Sequence, residues 1–117
     1  MNNRERGTTE EQLAADFYEA QGYTVLQKNY RRKTGEIDLI VRSPENRLVF
    51  CEVKYRKTLK YGDPAEAVTA EKQARIYRIA QWYLKENRIP LDTLMRFDVV
   101  SITGNKIRLI ENAFGGF

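Results

Sequence analysis

The stretch GEIDLIV at 35–41, followed after a short spacer by LVFCEVKY at 48–55, decides how this chain folds. Both segments are apolar and rich in β-branched residues, the composition of buried strands. Between them, SPEN at 43–46 is a turn-rich spacer, so residues 36–42 and 48–55 read as a hairpin. Asp38 interrupts the first strand, however, and Glu52 and Lys54 interrupt the second. Charge inside an apolar strand is costly unless something pairs with it.

An antiparallel hairpin centred on Glu45 sets Asp38 opposite Glu52 and Glu36 opposite Lys54. Side chains directly across a hairpin share a face of the sheet, and so do residues two apart on one strand. All four charged groups therefore emerge on one side. One residue of slip would bury or split the set. The other side presents Ile37, Leu39, Val41, Val49, Cys51 and Val53, which must be core. On the charged side Ile40, Leu48 and Phe50 are apolar toward the turn, so the cluster sits at the rim of a buried sheet. Two carboxylates with Cβ atoms ~5 Å apart repel each other. A shared proton, a bridging cation or a tolerated stability cost would answer that repulsion. Mg²⁺ or Mn²⁺, which prefer oxygen ligands, would turn the repulsion into coordination. Against this stands a purely structural reading, with Glu36–Lys54 as a cross-strand ion pair and Asp38 and Glu52 capping nearby amides or pairing with Arg42 and Arg56.

Composition narrows the chemistry. The chain of 117 residues is long enough for one domain with a real core, and we read 1–117 as such. It has no histidine, which removes imidazole bases, Ser-His-Asp triads and His-ligated zinc. Any catalysis must rest on carboxylates and lysines. The single cysteine, Cys51, excludes an intrachain disulfide framework and fits a reducing cytoplasm. No run is long and apolar enough for a membrane span, and the start lacks an apolar signal-peptide core. Net charge is only +4, but residues 28–33 and 54–60 hold eight of the twenty Lys and Arg without any acid. These two basic stretches flank the unusual strands, the footprint of a face that binds a polyanion.

The other elements follow from periodicity and punctuation. A first helix is expected from a T-x-x-E capping box at Thr8 and Glu11, with Leu13, Ala14, Phe17 and Ala20 as its apolar face and Gly22 as its stop. Residues 23–30 read as a first strand, with a basic loop at 31–34. Residues 57–68 read as an irregular basic connection. A long helix runs from about Thr69 to Asn87 with Ile76, Tyr77, Ala80, Tyr83 and Leu84 as its stripe. Strands RFDVVSI (96–102) and KIRLI (106–110) close the chain in a tight TGN hairpin. The order αβββαββ implies an α/β fold, a mixed sheet flanked by helices.

GEID and, after a spacer, CEVK resemble the core motif of PD-(D/E)xK nucleases. With EQLAADFYEAQGYTVLQKNYR, LVFCEVKYR, RFDVVSI and IRLIENAF added, the chain from about residue 10 to its end resembles the YraN-type uncharacterised family. That family is described as predicted endonucleases distantly similar to archaeal Holliday junction resolvases, with a restriction-endonuclease-like fold. The resemblance implies that Asp38 and Glu52 bind a catalytic metal, with the carbonyl of Val53 as a further ligand, and that Lys54 is the catalytic lysine. Glu11 would match a first-helix glutamate that reaches the metal, unless the capping box already accounts for it. The family usually carries glycine just ahead of that position, where this chain has Glu10.

The expected activity is Mg²⁺- or Mn²⁺-dependent hydrolysis of phosphodiester bonds in DNA, branched or otherwise structured. The alternative is a nucleic-acid-binding protein that keeps the nuclease scaffold without cutting. Lys28, Arg31, Arg32, Lys33, Arg56, Lys57 and Lys60 would hold the strands. Lys72, in the first turn of the long helix, is expected on a solvated face, although the resemblance would let it touch a phosphate. Tyr30, Tyr55 and Tyr61 are expected to pack at the sheet edge. Asp98 is expected to pair with a basic neighbour, and Trp82 lies off the main stripe of its helix. Junction cleavage would favour a two-fold homodimer presenting paired sites.

Overall fold

The computed structural model describes residues 3–56 and 68–114, with side chains from residue 9 onward. Its elements are α1 (Asn3–Ala20), β1 (Thr24–Arg32), β2 (Gly35–Arg42), β3 (Leu48–Arg56), α2 (Ala70–Glu86), β4 (Met95–Thr103) and β5 (Lys106–Phe114). The five strands form one sheet in chain order. Every neighbouring pair is antiparallel except β3 and β4, which run parallel because α2 carries the chain back between them. The expected αβββαββ order and mixed sheet are present. Among the described residues no helix is long and apolar enough to cross a membrane.

The helices cover opposite faces of the sheet. On one, Ala14, Ala15 and Tyr18 of α1 pack on Leu39, Val41, Val49, Cys51, Val100 and Ile102. On the other, Ile76, Ile79, Ala80, Tyr83 and Leu84 of α2 pack on Ile40, Phe50, Phe97 and Val99. The boundaries of α2 follow its capping chemistry. The Thr69 side chain accepts from the Lys72 amide and Asn87 forms the C-cap. Ile79 joins the expected stripe, and Tyr77 packs against it from the side.

The first helix departs from expectation in two linked ways. It begins at Asn3, so Thr8 lies within the helix and cannot cap it. Its buried face is Ala14, Ala15 and Tyr18, whereas Leu13 is exposed, Phe17 is half-buried and Ala20 is exposed. Two alanines let the helix lie close to the sheet. The Tyr18 hydroxyl then donates to buried Asp98 at 2.9 Å, which satisfies the polar tip of a fully buried ring. Gly22, with φ +88, ends the helix as expected, and the Tyr23 amide donates back to the Tyr18 carbonyl at 3.1 Å.

Residues 31 and 32, expected in a loop, extend β1, and the turn contracts to Lys33 and Thr34. The last strand likewise runs on to Phe114. The expected basic connection at 57–68, with Lys57, Lys60 and Tyr61, lies outside the described residues apart from Val68.

Candidate metal and phosphoryl site

The register of the central hairpin is the one its sequence implies. Leu39 pairs with Cys51, Ile40 with Phe50, Val41 with Val49 and Arg42 with Leu48. The next rung would join Asp38 to Glu52, and there the pairing stops. In place of a ladder hydrogen bond, the Val53 amide donates to Asp38 Oδ2 at 2.8 Å. The aspartate thus occupies the opening between two strands, held by the backbone it displaces.

The alternation of faces breaks at the same point. Leu39 and Val41 belong to the α1 side, as expected, but Ile37 packs in the α2-side core. The facing strand changes sides in step. Lys28 pairs with Leu39 and hydrogen-bonds Gln12 of α1, while Tyr30 pairs with Ile37 and meets Tyr83 of α2 edge-on at 5.4 Å. Between them lies Asn29 at φ 55, a left-handed conformation that asparagine tolerates. Unbroken alternation would put Ile37 on the same face as Leu39 and Val41. The local twist at Asn29 and Asp38 overturns that placement.

Asp38, Glu52 and Lys54 nevertheless line one cavity of about 350 Å³, together with Glu36, Val53, Lys72 and Arg75. Glu52 is buried, with Lys72 Nζ 3.5 Å and Lys54 Nζ 4.0 Å from its Oε2. Its Oε1 is buried without a hydrogen-bond partner. Burial raises the Glu52 pKa, opposed by the two lysines. Asp38 is pushed up to about 7, first by burial and then by the charge of Glu52, against the stabilising Val53 amide. Burial, together with neighbouring Lys72, lowers the Lys54 pKa. Burial is the first cause of all three shifts, because withdrawal from water disfavours the charged form of acid and lysine alike.

Asp38 also belongs to a second group of carboxylates. Oxygens of Glu11, Glu36 and Asp38 lie within 4.8 Å of one another. Glu11 reaches this group because positions 11, 14, 15 and 18 share the face of α1 that meets the sheet. It hydrogen-bonds Asn29, and burial raises its pKa, with Glu36 adding to the effect. Since Thr8 is helical, the capping explanation for Glu11 falls away. Asp38 is common to both groupings.

The remaining expected residues divide. Lys72, expected on a solvated face, points at Glu52 because the first turn of α2 overhangs the cavity. Its proximity had no signal in the sequence beyond its place in that turn. Glu36 pairs with Arg31 at 2.7 Å, not with Lys54. Arg32 pairs with Glu86. Arg31, Arg32 and Lys33 line a second hollow with Thr34 and Trp82. Arg56 is half-buried at the end of β3, where its carbonyl accepts from the Gly104 amide at 3.2 Å. Tyr30 is buried on the edge strand β1 against the α2-side core, whereas Tyr55, expected at the sheet edge, lies on the central strand β3 and packs against the α1-side core. Asp98 finds its basic neighbour in Arg96, at 2.9 and 2.8 Å, and also accepts from Tyr18 and the Asn112 amide.

The family model for "Uncharacterised protein family UPF0102" matches residues 10–102. A UPF0102 protein of Lachnoclostridium phytofermentans is 47% identical over 117 residues, covering 100% of this chain and 98% of its own. One from Caldicellulosiruptor saccharolyticus is 40% identical over 120 residues, covering 97% and 100%. A third, from Desulfosudis oleivorans, is 43% identical over 117 residues, covering 97% and 94%.

Proposed function

This chain belongs to the uncharacterised protein family UPF0102, the YraN-type family that its sequence resembles, and we propose that it is a metal-dependent endonuclease acting on DNA in the cytoplasm. The observation that carries this reading is the opened hairpin rung. There Asp38, Glu52 and Lys54 converge on one cavity and the buried Oε1 of Glu52 is left without a partner.

These residues fit a hard divalent cation. The donors are carboxylate oxygens, Asp38 and Glu52 resist ionisation where they stand, and Glu52 carries an unsatisfied buried acceptor. Asp38 and Glu52 would hold Mg²⁺ or Mn²⁺, with Glu11 and Glu36 beside Asp38. When bound, such an ion supplies Lewis acidity toward a phosphoryl oxygen and makes water a better nucleophile.

The protein's own groups do the rest. The Val53 amide fixes the Asp38 carboxylate in the opening between β2 and β3. Lys54 and Lys72 bracket Glu52, and Lys54 is placed to offset negative charge as it builds on the phosphoryl oxygens. Arg75, on the cavity wall, is available to the backbone phosphate. The partly buried setting strengthens each of these interactions relative to open water.

The test is cleavage of end-labelled junction, flap, single-stranded and duplex DNA with Mg²⁺ or Mn²⁺. Cutting should occur with the parent and be lost in Asp38→Ala and Glu52→Ala. Equal cutting by those variants would place the activity elsewhere, and tight binding without any cleavage would make the protein a nucleic-acid-binding one.

A further inference from the structure

Beyond the acid-lined cavity, the most unusual exposed group is Trp82. It is the only tryptophan in the chain and is 47% exposed. It stands between two hollows. One, of about 490 Å³, is lined by Arg31, Arg32, Lys33 and Thr34; the other, of about 260 Å³, by Arg78, Gln81, Lys85 and Leu91. The Arg32 guanidinium lies 4.6 Å and the Lys85 ammonium 5.3 Å from the ring centroid. The surroundings are thus cationic: among the described residues Arg31 pairs with Glu36 and Arg32 with Glu86, while Lys33, Arg78 and Lys85 add further positive charge.

The surface is continuous with the site. On α2, residues 75, 78, 82 and 85 fall on one flank by their three- and four-residue spacing. Arg75 lines the acid cavity, while Arg78 and Lys85 line the hollow beside Trp82. At 1.5 Å per residue, Lys72 over Glu52 and Trp82 are about 15 Å apart along the helix. On the hairpin side, Gly35 of the acid cavity directly follows Lys33 and Thr34 of the tryptophan hollow.

We infer that Trp82 is a stacking platform for an unpaired base of the DNA strand leading away from the proposed cleavage position. This rests on the endonuclease reading and narrows its substrate to DNA with a single-stranded segment. A flat aromatic face ringed by cations is the arrangement that holds single strands, with the ring taking a base and the cations taking phosphates. Duplex offers the ring nothing, because both faces of each base are already stacked. On binding, Arg32 and Lys85 exchange the ring for phosphate oxygens and the base takes their place.

The experiment uses a ten-residue oligothymidylate and the full chain in EDTA, so that binding is read without cleavage. Trp82, being the sole tryptophan, should lose fluorescence on titration. Trp82→Ala should weaken binding, measured by anisotropy of labelled oligothymidylate, by about 5- to 150-fold. Trp82→Phe should recover most of that loss, and duplex of equal length should bind parent and Trp82→Ala alike. Unchanged fluorescence at saturation, or equal affinity of Trp82→Ala for the single strand, would overturn the platform. Quenching together with a complete lack of Mn²⁺-dependent cutting would uphold it and sink the endonuclease reading instead.

Discussion

Asp38→Asn should stabilise the metal-free protein at alkaline pH, an unusual consequence for a substitution at a proposed catalytic residue. Asparagine keeps the acceptor for the Val53 amide and nearly the same volume, and removes only the ionisation. The native carboxyl is raised from 3.8 to about 7, so the folded state binds the proton more tightly than the unfolded chain. Stability therefore falls as pH rises between those values and is flat above them. At about 1.36 kcal/mol per pH unit, that interval caps the penalty at about 4 kcal/mol. Half of it, ~2 kcal/mol, would already raise Tm by ~8 °C in a chain of this size. The assay is thermal unfolding of parent and variant in EDTA at pH 4.5 and pH 8, where groups common to both cancel in the difference. The variant should gain little at pH 4.5 and several degrees at pH 8. Adding Mn²⁺ at ~100 times its Kd should return about 2.7 kcal/mol to the parent alone. An Asp38→Asn protein no more stable than the parent at pH 8, or a gain independent of pH, would refute the reasoning.

Lys54→Met should lower cleavage by about 10²- to 10³-fold, while Mn²⁺ still raises Tm, separating charge stabilisation from metal binding. Glu11→Gln should weaken Mn²⁺ affinity by about 10- to 100-fold, read as a shifted dependence of Tm on metal concentration. A Glu11 with no role at the site would leave that dependence unchanged. Asp98→Ala strips a buried acceptor from Arg96, Tyr18 and the Asn112 amide. It should cost about 3–5 kcal/mol in denaturant unfolding at neutral pH.

What the sequence made legible was local and periodic. The hairpin register followed from the turn at 43–46, where Ser43 and Arg47 exchange hydrogen bonds. The ends of α2 followed from Thr69 and Asn87. Strand parity anticipated Glu36, Asp38, Glu52 and Lys54 together, and all four line one cavity, although the alternation breaks at Ile37 and Glu36 pairs with Arg31. Parity failed at Ile37 because it treats a strand as flat, whereas the Asp38 side chain opens the ladder and the strand turns over beside Asn29. Ala14 was placed correctly on the buried face of α1, but Leu13 and Phe17 were chosen over Ala15 and Tyr18 because their hydrophobicity outweighs that of a small or polar-tipped residue. Close approach to the sheet favours small residues, and Asp98 rewards Tyr18. That rotation is what delivers Glu11 to Asp38. Lys72 was hidden for a different reason: its neighbour Glu52 is twenty residues away, and no local pattern reports how a helix start overhangs a sheet.

The central claim is that the carboxylates of Asp38 and Glu52 share a divalent ion. Anomalous diffraction from crystals soaked in Mn²⁺ tests it most directly. The account predicts a manganese peak bound by oxygens of both residues at ~2.1 Å. Manganese bound only at other carboxylates, with Asp38 and Glu52 unchanged and free of it, would contradict the account.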